Sequence, residues 1–139
     1  MAVFLNNLVG LKVATIDLSD HVTSVTLNRQ FDELEITAMG DQGHKYVKGL
    51  ESSSITIDFL NDTAASNVLA TLQAAYGTAV TVTMVQSKGT AVSATNPLYT
   101  MTCLINGLTD VNGAVGDLGT QSVTWNVNGV VTVATTGTF

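Results

Sequence analysis

Apolar residues recur along this chain with a period of two far more often than with a helical period. Between residues 54 and 60, Ile55, Ile57 and Phe59 alternate with Thr56 and Asp58; between 80 and 85, Val80, Val82 and Met84 alternate with Thr81 and Thr83. Alternation sends successive side chains to opposite faces, so each run predicts a strand with one buried face. The same pattern sets Leu11 and Val13 against Lys12 and Ala14, in a strand ending near Asp17, and Val25 and Leu27 against Thr26 and Asn28, in a strand over 22–31. Farther on, Tyr99, Met101, Cys103 and Ile105 alternate with Thr100 and Thr102, and Val123, Trp125 and Val127 with Thr124 and Asn126. Residues 130–133 offer a last strand.

One segment changes period. Ala65, Val68, Leu69, Leu72, Ala75 and Tyr76 fall at helical spacing and make a single apolar stripe. Asn61 or Asp62 offers an N-cap oxygen and Gly77 a left-handed C-terminal residue, which predicts a helix over about 62–76. Elsewhere periodicity fails. Asp32, Glu33 and Glu35 interrupt the second strand with three carboxylates, and residues 38–50 show no period while Gly40, Gly43 and Gly49 punctuate them. A connection of this length in a compact domain serves function or contact, so 37–49 is expected to be a loop reaching off the body. A second irregular link, 86–97, holds the only proline, and 110–119 reads as a wide hairpin connection rich in glycine. Residues 1–9 read equally as an extended apolar arm or an ordinary first strand; residues 130–139 close the chain as a C-terminal arm. The expected fold is mainly β: one domain, 1–139, a sandwich or barrel of about seven strands flanked by one helix.

Composition shifts the weight away from chemistry. The 139 residues are 45% hydrophobic and only 12% charged, about half the usual charged share. So weakly charged a surface suggests cover by partners. The net charge is −6, and the five bases, Lys12, Arg29, Lys45, Lys48 and Lys88, are scattered. No basic stripe exists to grip a phosphate backbone. Cys103 is the single cysteine, so neither an intrachain disulfide nor a Cys-rich metal site can form, and its apolar neighbours make it a buried core residue rather than a nucleophile. The N-terminal residues lack the basic flank of a signal peptide, and no apolar run approaches the ~18 residues of a membrane span. His21 and His44, each among ordinary polar residues, read as solvated rather than as a metal pair. Ser52, Ser53 and Ser54 sit in no nucleophile elbow. The carboxylates at 32–35 match no calcium loop and read as a solvated acidic bend. No catalytic constellation assembles, so the expectation is no enzyme, no cofactor and no metal.

In order along the chain, several phrases resemble the major tail (tail tube) proteins of long-tailed bacteriophages. They are Val-Thr-Ser-Val-Thr-Leu-Asn-Arg-Gln-Phe-Asp-Glu-Leu-Glu from Val22, then the Gly-punctuated loop, then Leu-Glu-Ser-Ser-Ser-Ile-Thr-Ile-Asp-Phe-Leu-Asn-Asp from Leu50. The single helix, residues 80–85, Gly-Asp-Leu-Gly-Thr-Gln-Ser-Val-Thr-Trp-Asn-Val-Asn-Gly from Gly116 and the Ala-Thr-Thr-Gly-Thr tail complete them. The resemblance covers nearly the whole chain and lies in element order and phrasing.

It implies a β-sandwich with one flanking helix, assembled as hexameric rings stacked into a tube that conducts DNA during ejection. The location it implies is the virion tail, assembled in the host cytoplasm. The implied partners are further copies of the chain and other tail proteins (tape measure, terminator, baseplate), with genomic DNA passing through unbound. The long loop of such proteins reaches adjoining subunits and the terminal arms bridge rings. Here that loop comprises Met39, Gly40, Asp41, Gln42, Gly43, His44, Lys45, Tyr46, Val47 and Lys48. Candidates for an acidic lumen lining are Asp32, Glu33, Glu35, Glu51 and Asp58; each is equally an outer solvated charge. Physics agrees with closure, because sheet edges left open are a liability that a ring removes. Thr-rich alternation at Thr81/Thr83 and Thr100/Thr102 gives a weakly charged face suited to water. The rival readings are a ring-forming tail-completion or secretion-tube (type VI-like) protein and a β-sandwich module for carbohydrate or a host surface. The last wants aromatics in a groove, whereas Trp125 alternates with core residues.

Overall fold

Two sheets and one helix enclose the core in this computed structural model, which describes residues 7–139. Most of the N-terminal arm expected over 1–9 therefore lies outside the described residues. The larger sheet is antiparallel and built from β1 (Gly10–Val13), the two-residue β2 (Ile16–Asp17), β7 (Ala79–Val85), β8 (Leu98–Leu104) and β10 (Thr132–Ala134), in the order β10-β8-β7-β1-β2. The smaller holds β3 (Val22–Asn28), β6 (Ser54–Leu60) and β9 (Thr120–Asn126), with β6 in the middle. Leu11, Val13, Val82, Met84, Met101 and Cys103 from the first meet Ile55, Ile57, Phe59, Val123 and Trp125 from the second, all buried. The indole Nε1 of Trp125 donates to the Gly107 carbonyl at 3.2 Å, so the largest core side chain leaves no polar atom stranded. The architecture is the β-sandwich with a single helix that the alternation predicts.

The helix α1 spans Val68–Ala75 and lays Val68, Leu72 and Ala75 on the core. It begins about six residues later than the start expected near residue 62. The Asp62 carboxylate accepts from the Ala64 N–H at 2.9 Å and the Asn67 amide at 2.8 Å, which holds 62–67 in a turn. Ser66, at φ 62, cannot continue a right-handed helix. Gly77 ends the element at φ 80, the left-handed conformation that its lack of a Cβ allows.

The larger departure lies between β3 and β6. Residues 32–35, expected to break a strand, lie in β4 (Phe31–Glu35), and the predicted loop overlaps β5 (Tyr46–Glu51). The two pair antiparallel, Glu33 opposite Lys48, Leu34 opposite Val47 and Glu35 opposite Tyr46. A hydrogen bond from the Ser52 N–H to the Gln30 carbonyl, 2.7 Å, joins this pair to the β3–β6 ladder. Strands β4 and β5 are thus prolongations of β3 and β6, a two-stranded ribbon of roughly 25 Å from Phe31 to the tip at ~3.3 Å per residue. Only 36–45 remains as connection. The alternation was hidden because both faces of the ribbon are exposed, and because Gly49 and Leu50 together oppose Asp32 in a bulge that shifts the period.

Candidate functional site

Among the described residues no group of three or more His, Cys, Asp or Glu side chains is placed to hold a metal ion. His21 and His44 are instead committed to separate carboxylates. His21 Nε2 lies 2.9 Å from Asp62, and His44 Nδ1 2.6 Å from Glu35. Burial pushes the Cys103 thiol up to about 11, which keeps it protonated. No helix of the described residues is long and apolar enough to cross a membrane. What the sequence presents is surface: the ribbon, a glycine-rich segment, and two polar sheet faces.

The ribbon is amphipathic. On one face the cross-strand pair Leu34 and Val47 is joined by Ile36 and, through the bulge, by Leu50, exposed to 54, 45, 55 and 81%, with Asp32 as the carboxylate beside them. The other face carries Phe31, Glu33, Glu35, Tyr46 and Lys48, with the Lys48 ammonium 4.4 Å over the Phe31 ring. Its tip is locally braced. Asp41 accepts from the Ala38 N–H at 2.9 Å and pairs with Lys45 at 2.8 Å, and Thr37 Oγ1 takes the Lys45 N–H while donating to Glu35. His44 first, then Thr37, holds the Glu35 carboxyl below its usual range, and Lys45 with the Ala38 amide does the same for Asp41. Met39 and Gly40 form the turn at the summit, and Gln42 and Gly43 follow it, all exposed. Of the ten loop residues expected to reach a neighbour, Met39 to Lys45 lie in the connection and Tyr46, Val47 and Lys48 in β5.

At the opposite end of the small sheet the chain from Gly107 to Gly119 borders β9. Thr109 Oγ1 accepts from the Ser122 N–H and donates to the Ser122 carbonyl, Asn112 reaches Thr120, and the Asn61 N–H reaches the Gly119 carbonyl. These contacts occupy backbone groups of β9 that would otherwise be open. The segment nonetheless leaves Val111, Val115 and Leu118 almost wholly in solvent.

The five carboxylates singled out from the sequence do not share one face. Asp32, Glu33 and Glu35 stand on the ribbon, and Glu51 at its root accepts the Val131 N–H at 2.8 Å, anchoring the C-terminal segment. Asp58 alone sits on the sandwich, on the outer face of β6 between Ser24 and Ser122. Thr81, Thr83, Thr100 and Thr102 lie together on the outside of the larger sheet. Part of that side is covered. Beyond β10 the chain turns back so that the Phe139 ring lies 2.9 Å from where a Cβ on Gly10 would be, with the Lys12 ammonium 4.5 Å above it. Sequence reasoning passed over the apolar side of the ribbon and the outer face of the small sheet; for the second, the alternate Ser, Thr and Asn positions of β3, β6 and β9 were the available signal.

Among solved structures the fold is similar to a chain of the tail of an empty GTA particle, computed with helical refinement in C6 symmetry. The TM-score is 0.61 at 12% sequence identity, over 91% of this chain and 94% of the other. No family model matches the sequence, and no curated protein does. At this identity the likeness establishes a common fold.

Proposed function

We propose that this chain is a structural, non-catalytic subunit of a phage-type tail tube. Copies close into six-membered rings, the rings stack, and the bore passes genomic DNA at ejection. The observation that carries the reading is the ribbon, which extends two strands of the sandwich into solvent and leaves Leu34, Ile36, Val47 and Leu50 uncovered. A monomer gains nothing from such a projection, whereas a neighbour laid against it buries apolar area. The shared fold with a tail chain of C6 symmetry supports the same reading. In this account the chain is a single domain whose loop and terminal segments bridge copies, and tape-measure, terminator and baseplate proteins are its further partners. The assembly belongs to the virion and is put together in the host cytoplasm.

Electron microscopy of the purified protein tests this directly. Tubes or stacked rings are the expected outcome. Isolated rings would favour a tail-completion or secretion-ring protein, and a dispersed monomer at high concentration would end the assembly reading in favour of a binding module.

A further inference from the structure

The outer face of the small sheet is polar and almost without charge. Its register gives three rungs across β3, β6 and β9: Ser24, Asp58 and Ser122; Thr26, Thr56 and Thr124; Asn28, Ser54 and Asn126. All nine point away from the core, and the hydroxyls of Thr56 and Thr124 meet at 3.2 Å. Hydroxyls and amides cover the face, with Asp58 as its single charge and no lysine or arginine on it. From this face and its surroundings we infer that the β3–β6–β9 sheet is the wall of the bore, the surface that a polyanionic chain slides past. This rests on the tube reading and supplies the side of the subunit that faces inward.

Affinity for a phosphate backbone comes from cations that neutralise phosphates and release counterions. A face with none has no sequence-independent grip, and one carboxylate per copy adds a repulsion focused inside a narrow channel. The outer face of the larger sheet is the competing candidate, and it differs in carrying cations. One of its rows runs Thr132, Thr100, Thr83, Lys12, Asp17, and the Lys88 ammonium pairs with that Asp17 at 2.7 Å. Two of the five bases thus stand on or beside it, and the Phe139 segment crosses one end. Lys12 is, among the described residues, an unpaired cation of a kind that the small sheet's face lacks, and the covering segment would narrow a bore. The ribbon supplies the geometric argument. Because β4 and β5 continue β3 and β6, contacts made through the ribbon extend the sheet lengthwise and leave its outer face bare. Asp32, Glu33 and Glu35 then belong to the joint between copies, and Asp58 is the carboxylate that the passing chain meets.

Thiol accessibility in assembled tubes decides the assignment. Thr124→Cys and Thr26→Cys each place a thiol on the middle rung, on different strands; Thr102→Cys places one on the exposed outside of the larger sheet. The buried Cys103 keeps the wild-type background low. A bulky polymer-linked maleimide should label Thr102→Cys in tubes and in dissociated subunits alike. It should lose its reaction at Thr124→Cys and Thr26→Cys on assembly, while a small maleimide still reaches both. Unchanged bulky labelling at the middle rung, or protection at Thr102→Cys instead, overturns the assignment while leaving the tube intact. Loss of assembly in both middle-rung variants alone would overturn it too, by making the face a contact. Absence of tubes from the wild-type chain would instead defeat the underlying tube reading.

Discussion

Gln121 is fully buried in β9, opposite Phe59, and neither its Oε1 nor its Nε2 finds a hydrogen-bond partner among the described residues. A polar side chain desolvated without partners costs about 1–3 kcal/mol. Gln121→Leu keeps nearly the same volume and removes both orphans. It should therefore raise the urea midpoint by about 1 kcal/mol or more of stability at unchanged m-value; a lower midpoint would show that the amide is satisfied after all. Asp17 makes the contrary case. Burial pushes its carboxyl up, but Lys88, 2.7 Å away, and Ser19 outweigh that and hold it below the usual range. A depressed folded-state pKa contributes stability above the unfolded value near ~3.9 and loses it as pH falls through the folded value. Asp17→Asn should cost under about 1 kcal/mol at pH 7, since the pair is half exposed. The difference from wild type should begin to shrink in urea titrations as pH falls below about 4, and vanish only beneath the depressed folded value. A gap that persists in acid would place the effect elsewhere.

At the scale of elements, legibility follows one-sided burial. Ile55, Ile57 and Phe59, or Val123 and Trp125, announce their strands because one neighbour in two must be apolar to reach the core. Strands β4 and β5 obey no such constraint. Glu33 and Lys48 face solvent on one side, Leu34 and Val47 face it on the other, and the bulge at Gly49 and Leu50 breaks what period remains. Their apolar side meets no core of this chain, so a reading based on one core passes over it. The helix start was misplaced for a local reason: the Asp62 side chain satisfies a turn at Ala64 and Asn67 rather than the end of a helix. The ribbon also gives the sharpest element-level prediction. Leu34→Ser with Val47→Ser changes only exposed positions, so the denaturation midpoint should move by no more than about 0.5 kcal/mol. Sedimentation should nonetheless show loss of polymer. Polymer formed at wild-type concentration would separate the ribbon from assembly.

For the whole molecule, the sandwich and its single helix were readable from alternation, whereas its division into surfaces was not. The Ser, Thr and Asn positions were visible as the polar half of each alternation. Only the register, which sets Thr26, Thr56 and Thr124 side by side, shows that they form one nearly uncharged wall while charge concentrates on the ribbon. Single-chain periodicity carries the direction a side chain points and not which strand stands beside it. The same register places the ribbon where Asn28 and Ser54 end, and the Gly107–Gly119 stretch where Leu60 and Thr120 meet. These extremities are unlike, so where the ribbon of one copy engages the far end of the next, the join is front to rear, a relation without a twofold axis. Any filament built this way carries an arrow: its two mouths are chemically different, and whatever caps one of them has no equivalent seat on the other.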